Sequence, residues 1–386
     1  MSLTLETLEQ LISFDTVSAK SNLKIIDFIE GFLRGRGART SRIAGTAAGK
    51  CGLFAEIGPQ IAGGVLLSAH TDVVPVEGQI WTRAPFILSR EGDRLFGRGT
   101  TDMKGYIACM LAAADMAARM RLTEPLKLVF SYDEEIGCVG IREMLPKLIP
   151  YLGSPRACIV GEPTEMKIAV GHKGKAALRA VCHGQSGHSA LAPKFVNALH
   201  LAVETVTGLR NVQDWYQKNG AHDPAYDIPY TTLHIGKMSG GMALNIVPDR
   251  AVIDFEYRHL AADAPSEIMS RITQVIYDIE ARYREIWSLA RIEIDRYNTY
   301  PGLDGAQNPD AEQLAQRLLK TKQTTKVAFG TEAGFFDGLG IPTIVCGPGS
   351  MEGQGHKPDE YLELSQIKAC EKMLAGVVET LSMAGH

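Results

Sequence analysis

Apolar positions along this chain recur with two periods. Leu3 to Phe14 and Asn22 to Arg34 carry them at helical spacing, as in Ile25, Phe28, Ile29, Phe32 and Leu33, which predicts two amphipathic helices resting on a core. Short, mostly apolar runs at Gly52 to Ile57, Gly64 to Ala69, Leu126 to Tyr132, Cys158 to Gly161 and Ile341 to Cys346 read instead as buried strands. Further helices are predicted from about Lys104 to Met120, at Asp310 to Lys320 and at Leu364 to Leu381. Between Asp72 and Asp102 no period holds. Pro75, Pro85 and the Gly97-Arg98-Gly99 turn mark a long connection, of a kind that usually carries function.

From Lys175 the order changes. A strand (Lys175 to His183), a helix (Ala198 to Leu209), two strands (Tyr230 to Ile235, Ala251 to Arg258), a helix (Ser266 to Ile286) and a strand (Ala290 to Asp295) spell βαββαβ. That is the split unit of a small ferredoxin-like α+β domain. After Pro301 the first pattern resumes, so the segment reads as an insertion: residues 1–174 and 299–386 form one α/β domain, and 175–298 the second. A chain of 386 residues favours two domains over one.

Composition narrows the partners. With 45% hydrophobic and 22% charged residues and a net charge of -4, there is no basic stripe for nucleic acid and no polybasic patch for a membrane. A small molecule is the expected partner. Glu6, Glu9 and Asp15 interrupt the first twenty positions, which lack the layout of a secretory leader, and no apolar run reaches membrane-spanning length. Seven scattered cysteines without a C-x-x-C pair point to reduced, buried thiols and a cytoplasmic location. The glycine-rich GKMSGGM at 236 to 242 has neither the spacing nor the setting of a phosphate loop.

The candidate chemistry collects at strand ends. Val65-Leu66-Leu67-Ser68-Ala69-His70-Thr71-Asp72 finishes an apolar run on two polar residues that share a face. Neutral imidazole is a common zinc ligand, and a neighbouring carboxylate fixes its tautomer. One such tripeptide alone reads as a histidine capping a turn. Four further stretches change the balance: Asp102 where a helix is to open, Asp133-Glu134-Glu135 after one strand, Glu162 after another, and His356 behind the glycine-rich loop 347 to 355. Consecutive acids repel one another, and a bound cation is a physical reason to tolerate them. Two histidines and three carboxylates suit two divalent cations if one carboxylate bridges, with room for a shared water. Adjacent residues of an extended chain point apart, so Glu134 and Glu135 have different jobs, one ligating and one acting on the water. The residues alone leave open which does which.

Taken together, SAHTDVVP (68 to 75), GRGTTDMKG (97 to 105), SYDEEIGCVG (131 to 140), VGEPT (160 to 164), GQSGHSA (184 to 190), GGMALNIVPD (240 to 249) and His356 resemble the dinuclear zinc amidohydrolases of the M20 metallopeptidase type. The resemblance implies a zinc-exopeptidase-like α/β catalytic domain with a mixed central sheet, interrupted by a lid that also dimerises. It implies that His70, Glu162 and Asp102 hold one metal, and His356, Glu135 and the shared Asp102 the other. Asp72 would orient His70, and Glu134 would be the general base and then acid. His188 would reach the neighbouring subunit's site, with Asn245 and Arg258 binding substrate. Arg258 also suits an ordinary edge salt bridge, and His188 a surface turn. Zinc is the expected metal, with cobalt or manganese also suited to these donors.

Within that family, Gly161-Glu162-Pro163-Thr164, His172-Lys173-Gly174 and Gly330-Thr331-Glu332-Ala333 look most like the acetylornithine deacetylase branch. This implies hydrolysis of N2-acetyl-L-ornithine; a related deacylase or dipeptidase is the alternative. Glu332 would either pair with a cationic substrate side chain or cap a short helix.

Overall fold

The computed structural model describes residues 2–305 and 309–382. The chain divides into two compact units, one holding the chain up to His172 and from Leu303 onward, the other Lys173–Gly302.

Among the described residues, nine strands of the first unit form one mixed sheet. Its centre is Leu126–Ser131, Val65–His70, Ala157–Pro163 and Thr343–Gly347, side by side in that order and parallel. Cys51–Ile57 and Arg39–Ala44 continue it antiparallel on one side, Ile168–His172 on the other. Every residue of the four central strands is buried. Strands covered on both faces favour apolar side chains on both, which is why these segments read as nearly continuous apolar runs; the buried Lys127 donates its Nζ to the Leu152 carbonyl. The helix Gly105–Ala118 packs against Leu3–Ser13 and Leu364–Ser382 and is buried on most sides. Its Tyr106 lies flat on Gly161, where a Cβ would come within 2.0 Å of the ring. Only glycine permits that approach.

Several elements depart from the apolar pattern. Val139–Leu152 is a helix although it contains Pro146 and Pro150, residues that normally break one; Ile141, Met144 and Leu148 are buried against the core and outweigh the lost backbone bonds. Arg39–Ala44 is a mostly exposed edge strand with no period to betray it. Inside the connection from Asp72 to Asp102, Ser89–Glu91 and Arg94–Phe96 join Tyr361–Glu363 in a small sheet. Asp102 also departs from expectation. It does not cap the following helix, which begins at Gly105; its own backbone, at φ -123° and ψ 94°, is not helical.

The second unit is a four-stranded antiparallel sheet in the order Thr232–Gly240, Arg250–His259, Gly174–His183, Arg291–Tyr300, with Ala198–Asn219 and Pro265–Arg284 packed on it. Ala251, Ile253, Phe255 and Tyr257 face the helices, and the residues between them are only half-buried. This is the βαββαβ arrangement. Thr232–Gly240 forms one edge, and the exposed Met238, Met242 and Leu244 lie on it or just beyond. Among the described residues all seven cysteines are free and buried, and no helix is long and apolar enough to cross a membrane.

Candidate metal centre

Parallel strands end together, and ligands of open α/β sheets sit beyond those carboxyl ends. His70 closes its strand in register with Ser131, the last residue of the next. The turn after Ser131 carries Asp133, Glu134 and Glu135, the neighbouring strand carries Glu162, and the strand Thr343–Gly347 leads to His356. Asp102 comes from a separate turn, which Gly99 enters at φ 86°. A side chain at Gly99 would be strained there and would meet Val73 at 2.8 Å.

Two donor groups result. The ligand atoms of His70, Asp102 and Glu162 lie within 4.8 Å of one another, and so do those of Asp102, Glu135 and His356. Asp102 belongs to both. Its Oδ1 is 2.9 Å from His70 Nε2, and its Oδ2 is 3.1 Å from His356 Nε2. Glu162 Oε1 stands 3.6 Å from His70 Nε2 and Glu135 Oε2 stands 2.9 Å from His356 Nε2. The first group is buried, whereas His356 is exposed, so solvent reaches the pair from the His356 side.

The electrostatics call for a cation. Burial and the Asp102 charge push Glu162 well above the ordinary carboxylate range, and the same two causes raise Glu135 to about 7. Burial opposes charge on His70, yet Glu162 and Asp102 raise its pKa overall; hydrogen bonds to Asp102 and Glu135 lift His356 to about 11. The carboxylates thus draw positive charge onto the histidines. Glu162 Oε1, buried and without a hydrogen-bond partner, is an acceptor with nothing to accept from. Buried anionic oxygens in this state are costly unless a metal takes them up. Oxygen and imidazole donors, three per group with one carboxylate shared, fit two divalent cations such as Zn²⁺.

The three consecutive acids separate by partner. Asp133 forms a buried ion pair with Lys50 Nζ. Glu135 joins the His356 group. Glu134 belongs to neither group, and its Oε1 accepts a hydrogen bond from Cys138 Sγ at 3.2 Å. Asp72 differs from expectation in detail. His70 Nδ1 is closer to the Asp72 backbone carbonyl, at 3.0 Å, than to its carboxylate, at 3.5 Å. That carboxylate accepts the backbone N–H groups of Glu134 (3.0 Å) and Glu135 (3.3 Å) and the Ser18 hydroxyl (2.7 Å). One acid therefore steadies both the histidine and the acidic turn. Glu332 stands at the N-cap position of the short helix Ala333–Asp337 but makes no side-chain cap; it is 1% exposed, with its carboxyl accepting from Ser131 Oγ and pushed up to about 7 by burial.

Taken as a whole, residues 66–380 match the model of the peptidase family M20/M25/M40. The chain belongs to that family. This M20 chain is 32% identical over 377 residues to the acetylornithine deacetylase of Edwardsiella ictaluri, spanning 95% of each. Its fold is similar to the M20 metallo-carboxypeptidase Sso-CP2 of Sulfolobus solfataricus, with a TM-score of 0.76 at 18% identity over 99% of both chains. It also resembles the YXEP protein of Bacillus subtilis, a dinuclear metal-binding M20 peptidase, at a TM-score of 0.67 and 17% identity over 98% and 97%. The M20 chain is a metal-dependent amidohydrolase with a mixed α/β fold.

In the second unit, His188 and Asn245 are neighbours. His188 pairs with Ile246 in a two-stranded ribbon, and Ser189 N donates to the Asn245 carbonyl at 3.1 Å. Both side chains are exposed. Arg258 stands near the far end of Arg250–His259, roughly 26 Å from the strand's start at about 3.3 Å per residue. Its Nε donates to Glu256 Oε1 at 2.9 Å, a salt bridge within an interior strand of the sheet and not at an edge.

Proposed function

We propose that this enzyme hydrolyses the N-acetyl amide of N2-acetyl-L-ornithine to L-ornithine and acetate, a step of arginine biosynthesis, with two zinc ions held by His70, Asp102 and Glu162 and by Asp102, Glu135 and His356. The sharing of Asp102 between two donor groups, with Glu134 beside them, carries the hydrolytic reading. Similarity to acetylornithine deacetylases over nearly the whole length supports the substrate. Bound divalent cations supply an activated water and polarise the amide carbonyl. Glu134 takes the proton of the attacking water and returns it to the leaving amine. Asp72 keeps His70 in one tautomer and anchors the peptide groups of Glu134 and Glu135. Cys138 holds the Glu134 carboxylate in place.

The second unit, residues 175–298, acts as lid and dimer interface. Its edge strand Thr232–Gly240 is open to pairing, with Met238, Met242 and Leu244 exposed on or next to it. Arg258 binds the substrate carboxylate of its own subunit, a task suited to a guanidinium. Asn245 also binds substrate, and His188 serves the partner's site, where it steadies the oxyanion. The buried free thiols support a cytoplasmic location.

Two experiments test this reading. Chelated enzyme should be inactive and recover with Zn²⁺ or Co²⁺. In a panel of N-acetyl, N-succinyl and N-formyl amino acids and dipeptides, N2-acetyl-L-ornithine should give the highest kcat/KM. A higher value for an N-succinyl substrate or a dipeptide replaces the substrate and keeps the chemistry. For the dimer, mixing His188→Ala with Glu134→Gln subunits should restore activity that neither has alone, because one site of each mixed pair is then intact. Mixtures as inactive as their parents exclude a contribution across subunits.

A further inference from the structure

Glu360 lies outside both donor groups, yet the turn that presents Asp102 is built around it. Its Oε1 accepts the backbone N–H of Thr101 at 2.9 Å and of Asp102 at 3.1 Å. Its Oε2 accepts the N–H of Gly99 at 3.0 Å and Arg98 Nη1 at 2.6 Å. Both Glu360 and Arg98 are 1% exposed. Arg98 carries the network onward: Nη1 also donates to the Lys357 carbonyl at 3.3 Å, and Nη2 to Gln79 Oε1 at 2.5 Å. Gln79 Nε2 in turn donates to the backbone carbonyl of His356 at 2.9 Å.

We propose that Glu360 is a positioning residue for the metal pair, setting the shared Asp102 directly and the His356 loop through Arg98 and Gln79. The physical reason is that neither segment has a regular backbone ladder to hold it. Residues 99 to 102 would bury three unsatisfied N–H groups without this carboxylate, and their non-helical turn would relax. His356 sits at φ 60° on an exposed loop, a conformation that needs support from outside. One buried ion pair therefore keeps both oxygens of Asp102 and the imidazole of His356 at ligand spacing. Partners of this kind typically change metal affinity by roughly 10- to 100-fold.

The inference rests on the two donor groups being metal ligands, so its test carries a control for that reading. Zn²⁺ is titrated into the metal-free enzyme against a chromophoric chelator to obtain stepwise Kd values, and kcat is measured as Zn²⁺ is raised. Glu360→Gln should weaken both steps by roughly 10-fold or more, with kcat recovering at high Zn²⁺ because the catalytic groups are intact. Gln79→Ala, a half-buried change at the rim of the network, should weaken one step only, that of the His356 group. Should Glu360→Gln fail to fold with Arg98 left unpaired, the Gln79→Ala titration decides alone: one weakened step supports the proposal, and two unchanged steps overturn it. Glu360→Gln with both Kd values within twofold of the parent also overturns it, as does a kcat that stays low at saturating Zn²⁺. Asp102→Ala is the control. If it still binds two ions, the ligand reading fails and takes this inference with it; if it loses them while Glu360→Gln does not, only the role of Glu360 falls.

Discussion

Glutamine in place of Glu134 is expected to lower kcat by roughly 10²- to 10⁴-fold, the range removed with a general acid or base, while zinc content stays at the parent's level. The side chain lies outside both donor groups, so its loss costs no ligand. Glutamine keeps the shape and still accepts from Cys138, but it cannot take a proton. The environment suits the task. Burial lifts the Glu134 carboxyl well above the ordinary range, His70 opposes the shift and Glu135 adds to it, which makes the carboxylate a stronger base toward the attacking water. Metal analysis by mass spectrometry alongside steady-state kinetics checks both halves of the expectation. A variant with kcat within a few fold of the parent removes Glu134 from the role.

Asp102→Ala should have the other large effect, losing both ions and all measurable activity. Its two oxygens face different histidines, 2.9 Å from His70 and 3.1 Å from His356, so no other single side chain serves both groups. His356→Ala, by contrast, should release one ion and leave the buried group of His70, Asp102 and Glu162 able to hold the other. Equilibrium dialysis against Zn²⁺ separates the two variants by stoichiometry. Two retained equivalents in Asp102→Ala would mean that the ions lie elsewhere.

Chain order and side-chain period determined much of this protein by themselves. The largely apolar runs at Val65–His70, Leu126–Ser131 and Thr343–Gly347 announce strands buried on both faces, and polar residues just past parallel runs of this kind gather at one edge of the sheet. The alternation from Ala251 to Tyr257 likewise announces a sheet with one covered face. That local logic gathered His70, Asp102, the Glu134-Glu135 pair, Glu162 and His356 as a set. It missed the helix Val139–Leu152, because its prolines break the local signal while burial of Ile141, Met144 and Leu148 sustains it.

Tertiary structure decided what depends on direction. Which of Glu134 and Glu135 turns toward His356, that Asp102 offers one oxygen to each histidine, and that the Asp72 carboxylate grips the acidic turn are matters of convergence between segments far apart in the chain. Glu332, a candidate partner for substrate, lies buried against Ser131, and Glu360, which no local pattern singles out, is the hub of a buried network. Periodicity encodes the face a residue occupies. It does not encode what other segments bring to that face, and for a polar group those neighbours decide whether it is solvated, paired or ready to bind a metal.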